Sequence, residues 1–254
     1  MENKIILHRG YEGKYPENSK ISFQKAFENG KDFETDIRVS IDGICFMIHD
    51  DCIDRIFNGS GKISDMTSEE LKKFHYKEDE TQRLCSLKDM CEIAKNSPNR
   101  NSLIFIHIKE LRDIDAIIKI LSQYGFKDRL RFFAVDEIEE DFREIMRRKH
   151  PEYKIGLYLP ENSKNYNKEL FKNSDFIWAD EMTFSWMTKE KVALAHSYRK
   201  PFYAISPELI PASAFNSDIE KRWEELLEIG VDGICTDLPD KLEKFLEKDK
   251  FLKF

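Results

Sequence analysis

The chain has 254 residues, 41% hydrophobic and 35% charged, enough to bury a full core and near the upper size for one domain. Its net charge of −7 comes from 41 Lys and Arg interspersed with 48 Asp and Glu, so no basic stripe is offered to a polyanion and nucleic acid is not an expected partner. No run approaches the roughly 20 apolar residues of a membrane span or the core of a secretory leader, and five cysteines without CxxC spacing argue against a disulfide framework or a thiolate zinc site.

A soluble, cytoplasmic protein with reduced thiols is the expectation. In chain order, IIL (5–7) predicts a strand that ends at HRG (8–10), and SKISFQKAFENG (19–30) predicts a helix with Ser at its start and Gly at its end. FETDIRV (33–39) and ICFMIH (44–49) read as strands joined through SIDG, an Asp-Gly turn signal that makes this corner irregular. The turn-rich stretch 51–65 reads as a small excursion, followed by helical stretches at 65–74 and 86–97. Further strands are expected at 103–109, 130–135, 154–159, 176–180, 202–206 and 231–236, with helices at 113–125, 136–149, 188–199 and 218–230. Strand alternating with helix in about 250 residues predicts a (β/α)8 barrel, written as one domain over 1–254. An open doubly wound sheet is disfavoured because no Gly-rich phosphate turn is present.

Polar residues interrupt strands that such a fold buries. Alternation places Glu34, Asp36 and Arg38 on one face of the second strand, and His107 and Lys109 together on LIFIHIK. His49 and Asp50 end the run ICFMI. Burying so many ionisable groups without partners costs several kcal/mol each, so they are expected to meet one another, a metal or an anion. Strand ends converge on one mouth of a barrel, where His8, Arg9, Glu34, Asp36, His49, His107 and Lys109 would gather. Carboxylates with an imidazole suit a divalent ion, and further histidines and cations suit an anionic substrate whose reaction transfers protons, such as a phosphodiester.

The chain resembles the glycerophosphodiester phosphodiesterase family in HRG with PENS and SFQKAFENG (8–30), in ETDIRVSIDG (34–43) and in HDDCIDRIFNGSGKISDMTSEELKKF (49–74). EIGVDGICTDLP (228–239) extends the match more weakly. The resemblance implies a barrel of the phospholipase-C-like type, one divalent cation (Mg²⁺, Mn²⁺, Zn²⁺ or Ca²⁺), and cleavage of a small-molecule or lipid-derived phosphodiester to sn-glycerol 3-phosphate and an alcohol. It implies His8 and His49 as the acid/base pair, Arg9 as a phosphate contact, and Glu34 and Asp36 as metal carboxylates. His107 stands where the family has a third metal glutamate, and Lys109 keeps the family's lysine position, again facing phosphate. Imidazole in that place favours Mn²⁺ or Zn²⁺ over calcium, and Asp180 or Glu181 is the candidate for a compensating carboxylate, ahead of Glu208. FYAISPEL (202–209) departs from the tryptophan-containing strand the family commonly has. The alternative is a barrel that binds or cyclises a lipid or polysaccharide phosphodiester without ordinary hydrolysis.

Other residues receive plainer readings. Glu17 and Asn18 are expected to cap the helix over 19–29 rather than brace the site, Arg55 to anchor its loop, and Asp237 to hold the last loop. His75, His150 and His196 are read as solvated, and Trp178 and Trp186 as packing residues.

Overall fold

The computed structural model describes residues 4–112, 114–161, 163, 166–180, 186–209 and 218–248. They form two compact units, one of residues 7–132 and one of the described residues of 1–6 and 133–254.

The units divide within β1 (Lys4–Leu7), and the unit of 7–132 continues from Leu7 through the HRG turn to α1 (Lys20–Glu28). The N-cap of α1 is Ser19, whose hydroxyl accepts from the Ser22 amide at 3.1 Å, so neither Glu17 nor Asn18 caps it. β2 (Asp32–Val39) pairs with both antiparallel and parallel strands. It turns back through an Asp-Gly hairpin into antiparallel β3 (Cys45–Met47), pairing Ile37 with Met47 and Val39 with Cys45. Gly43, at φ 79, supplies the left-handed residue of that turn, and Ser40 Oγ accepts from the Ile44 amide at 3.0 Å. β2 also pairs with parallel β4 (Ile104–Ile108), whose register sets Asp36 beside His107.

The excursion after β3 is larger than 51–65. Ile53, Ile56, Phe57, Ile63, Leu71, Tyr76 and Leu84 pack with Phe46 and Ile48 into a small core of their own, so the segment runs on to Leu84. The helix expected over 65–74 shrinks to α2 (Ser68–Leu71), opened by a Thr67/Glu70 capping box. α3 (Leu87–Asn96) starts on a second box, Ser86 with Asp89, and buries Leu87, Met90, Cys91 and Ala94 at helical spacing. α4 (Ile114–Ser122) precedes β5 (Leu130–Ala134), within which the units divide.

The second unit continues as α5 (Glu139–Lys149), β6 (Lys154–Leu159), α6 (Lys168–Lys172), β7 (Phe176–Ala179), α7 (Lys189–Ser197), β8 (Phe202–Ile205), α8 (Ile219–Ile229), β9 (Gly233–Thr236) and α9 (Pro239–Lys248). β6 to β9 pair in parallel in sequence order. Gly230, at φ 94, ends α8. α6 and α9 were not expected: α6 spans five residues, too few to show a period, and α9 buries Pro239, Leu242, Phe245 and Leu246 within a strongly charged stretch. Trp178 packs as expected, stacked on Phe133 at 4.8 Å. His75 and His196 are not merely solvated, since a ring nitrogen of each lies 2.9 and 2.8 Å from Tyr76 O and Asp232 Oδ2. No helix among the described residues is long and apolar enough to cross a membrane, and the five cysteines are free thiols.

Candidate active site

The HRG turn is built from successive left-handed residues, Arg9 at φ 46 and Gly10 at φ 79, with Asn18 at φ 52 facing them. Such angles cost a non-glycine residue about 1 kcal/mol or more, and the surroundings hold them in place. The Gly10 amide donates to Glu34 O at 3.0 Å, the Asn18 amide to Arg9 O at 2.7 Å, and the Arg9 amide to Glu34 Oε2 at 3.3 Å. A Cβ on Gly10 would stand 2.4 Å from Ser22 Oγ. Gly10→Ala is therefore expected to cost about 1–3 kcal/mol, read as a lower urea midpoint at unchanged slope.

Glu34 and Asp36 share one face of β2 and are both buried, 3% and 1% exposed. Lys109 Nζ lies 2.9 Å from Asp36 Oδ1 and donates to His107 Nδ1, also at 2.9 Å. His107 Nδ1 is 3.5 Å from Asp36 Oδ1, and Arg9 Nε is 3.7 Å from Asp36 Oδ2. Asn18 braces this cluster: its amide nitrogen donates to Asp36 Oδ2 at 3.4 Å while its oxygen accepts from Thr35 Oγ1 at 2.7 Å. Burial opposes the charge on Asp36, yet Lys109, His107, His49 and Arg9 hold its carboxyl well below the usual range. Burial and the adjacent Asp36 charge push Glu34 up, only partly offset by His8, Lys109 and Arg9. Burial and the Lys109 ammonium bring His107 down to about 3, so its ring is neutral and able to ligate.

Glu34, Asp36 and His107 each contribute a ligand atom to a group lying within 4.8 Å of one another. That spacing accommodates an ion about 2.0–2.4 Å from every donor. Two buried carboxylates in mutual repulsion, one of them driven toward its protonated form, are what a dication relieves. The donor set fits a divalent cation.

The two histidines of the expected acid/base pair each face a carboxylate through Nδ1: His8 lies 3.0 Å from Glu12 Oε2, and His49 lies 2.8 Å from Asp50 Oδ1. Arg38 does not pair with Glu34 or Asp36. Its Nε donates to His49 O at 2.9 Å and its Nη1 to Glu110 Oε1 at 2.9 Å, fixing the backbone beneath the imidazole. Burial first, then the Lys109 and Arg9 charges, lower His49 below 6.5 against the pull of Asp36 and Asp50.

Sequence patterning set Asp50 beside His49 without giving it a role, and missed Glu12 and the bracing by Asn18. Glu12 follows His8 by four residues, a signal too common to single out. Asp180 belongs to the second unit, where Tyr158 OH donates to it at 3.1 Å; Glu181 lies outside the described residues. Glu208 takes hydrogen bonds from the Ser206 and Thr236 hydroxyls and from the Asp237 amide, tying down the turn after β9.

A model of the glycerophosphoryl diester phosphodiesterase family matches residues 8–241. A glycerophosphodiester phosphodiesterase of Caldanaerobacter subterraneus is 26% identical over 267 aligned residues, covering 98% of this chain and 99% of the relative. One of Bacillus altitudinis is 26% identical, covering 97% and 99%. Among solved structures, an Oleispira antarctica phosphodiesterase in complex with the product sn-glycerol-3-phosphate superposes with a TM-score of 0.78 at 20% identity, over 96% of each chain. The fold is the (β/α)8 barrel expected from the sequence.

Proposed function

Because the chain belongs to the glycerophosphoryl diester phosphodiesterase family, we propose that it cleaves glycerol phosphodiesters to sn-glycerol 3-phosphate and an alcohol, with His8 and His49 as its acid/base pair. The observation that carries this reading is the meeting of two fixed cations, Arg9 and Lys109, on Asp36 within a group of three candidate metal ligands. That arrangement suits one phosphoryl group. The product held by the Oleispira relative supports the same substrate class.

Glu34, Asp36 and His107 would hold the divalent ion, Mg²⁺, Mn²⁺, Zn²⁺ or Ca²⁺. When bound, such an ion neutralises charge that builds on phosphate oxygen as phosphorus becomes five-coordinate. Arg9 presents a planar fork to the remaining oxygens, and Lys109 a point charge. His49, kept neutral by its surroundings, takes the proton from the glycerol hydroxyl next to the ester as that oxygen bonds to phosphorus. His8 gives a proton to the departing alcohol as its bond to phosphorus breaks. Water then opens the cyclic phosphate with the two imidazoles in reversed roles. The carboxylates at Nδ1 orient both rings for this exchange.

The test follows phosphorus by ³¹P NMR through incubations with glycerol phosphodiesters that differ in the alcohol, with and without each divalent ion. A phosphate monoester that accumulates only with the ion is expected. Neither monoester nor cyclic diester from any of them, with sn-glycerol 3-phosphate still bound, would leave a binding protein instead.

Two further outcomes follow from the site. His49 is depressed below 6.5, and a bound cation pushes it the same way, so the acidic limb of kcat/KM lies below pH 6.5; a limb above that value removes His49 as the first proton acceptor. His107→Glu replaces neutral nitrogen by charged oxygen, so titration calorimetry is expected to show Mg²⁺ and Ca²⁺ gaining affinity relative to Zn²⁺.

A further inference from the structure

Arg55 lies in the excursion after β3, on a side chain that is half exposed, yet all three of its guanidinium nitrogens are engaged. Nη1 and Nη2 donate to Glu17 Oε2 and Oε1 at 2.6 and 2.7 Å, and Nε donates to Asp50 Oδ2 at 2.6 Å. Both carboxylates have a second duty. Glu17, 3% exposed, also accepts from Arg9 Nη1 through both oxygens, at 3.1 and 3.2 Å. Asp50 turns its other oxygen, Oδ1, to His49 Nδ1 at 2.8 Å. A continuous line runs Arg9, Glu17, Arg55, Asp50, His49.

We propose that Arg55 is a positioning residue, which sets the Arg9 fork through Glu17 and the His49 ring through Asp50, so that the phosphate-holding and proton-transferring arms are aligned by one guanidinium. The inference rests on the function proposed above. An anchor for the loop needs one carboxylate; Arg55 joins the two that touch the site. With Oδ2 of Asp50 occupied by Arg55, Oδ1 is aimed at His49, which favours the tautomer with its proton on Nδ1 and a lone pair on Nε2. With Glu17 held in a two-pronged pair by Arg55, Arg9 meets a fixed carboxylate rather than a mobile one. Lysine cannot substitute: a single ammonium cannot place two parallel donors on Glu17 and a third on Asp50. The excursion's own core does not include Arg55, so the loop is expected to stay folded when the guanidinium is removed.

The experiment compares the wild-type protein with Arg55→Met, Arg55→Lys, Asp50→Asn and Glu17→Gln, all in Mg²⁺. Three readouts are taken: the His49 tautomer from ¹⁵N-histidine NMR, the Kd for sn-glycerol 3-phosphate, and kcat with KM. Arg55→Met is expected to redistribute the tautomer, weaken glycerol phosphate on the order of tenfold, and lower kcat on the order of 100-fold. Arg55→Lys recovers at most one arm. Asp50→Asn is expected to move the tautomer more than the Kd, and Glu17→Gln the Kd more than the tautomer. Arg55→Met that keeps the wild-type tautomer and Kd, and loses only thermal stability, overturns the proposal and leaves a loop anchor. If Arg55→Met fails to fold, the Asp50 and Glu17 variants decide: equal effects of both on both readouts contradict two separate arms. Absence of turnover in the wild type would remove the hydrolase reading, while the tautomer and the Kd would still judge Arg55.

Discussion

Alanine at His8 or at His49 is expected to lower kcat by about 10²- to 10⁴-fold, the worth of one positioned acid/base group, while leaving the protein folded. Both imidazoles are partly exposed at the ends of strands, so truncation opens no core cavity. The two losses are separable. A phosphodiester whose leaving group is a good one, such as p-nitrophenol, needs no proton in the first step. That substrate is expected to restore much of the rate in His8→Ala and little in His49→Ala. Rescue of His49→Ala alone would exchange the roles, and normal rates in either variant would remove that residue from the chemistry.

Asp36 carries the largest structural penalty in the site. It is buried, is met by Lys109 at 2.9 Å and by Arg9 at 3.7 Å, and accepts from Asn18. Removing it leaves those cations without their shared counter-charge, a change that costs about 3–5 kcal/mol when a buried pair is broken from one side. Asp36→Ala is expected to lower the melting midpoint by about 10 °C, to abolish divalent-ion binding, and to abolish turnover. Asp36→Asn keeps the shape and loses the charge, so it separates packing from electrostatics. The sign with pH is fixed by the depressed carboxyl. Its stabilisation is complete above the unfolded value of 3.8 and is lost as pH falls toward the folded one, so the wild type sheds stability in acid faster than Asp36→Asn. Equal acid sensitivity in the two proteins would mean that Asp36 is not paired as described.

What the sequence made legible was whatever depends on local period. Alternation along FETDIRV placed Glu34 and Asp36 on one face, and the same period in LIFIHIK placed His107 with Lys109; the parallel register of β2 and β4 then brought the two pairs together. Arg38 obeyed the same alternation and still went elsewhere, because beyond the strand's middle its reach is set by the β3 end and by Glu110. Long-range partnerships were not legible. Glu17 binds Arg55 across 38 positions, and nothing in the spacing of PENS announces it. Asn18 was misread because a polar residue before a helix ordinarily caps it, whereas Ser19 takes that duty and the left-handed backbone of Asn18 turns its amide to Asp36. The excursion was underestimated because its apolar residues are scattered singly among turn residues and become a core only once Tyr76 and Leu84 fold back.

Anomalous diffraction at the manganese edge, from crystals holding Mn²⁺ and sn-glycerol 3-phosphate, locates ion and phosphate together. One peak is expected about 2.0–2.4 Å from donor atoms of Glu34, Asp36 and His107, with the phosphate against Arg9 and Lys109. A peak away from those three side chains, or a phosphate bound elsewhere on the protein, would contradict that arrangement.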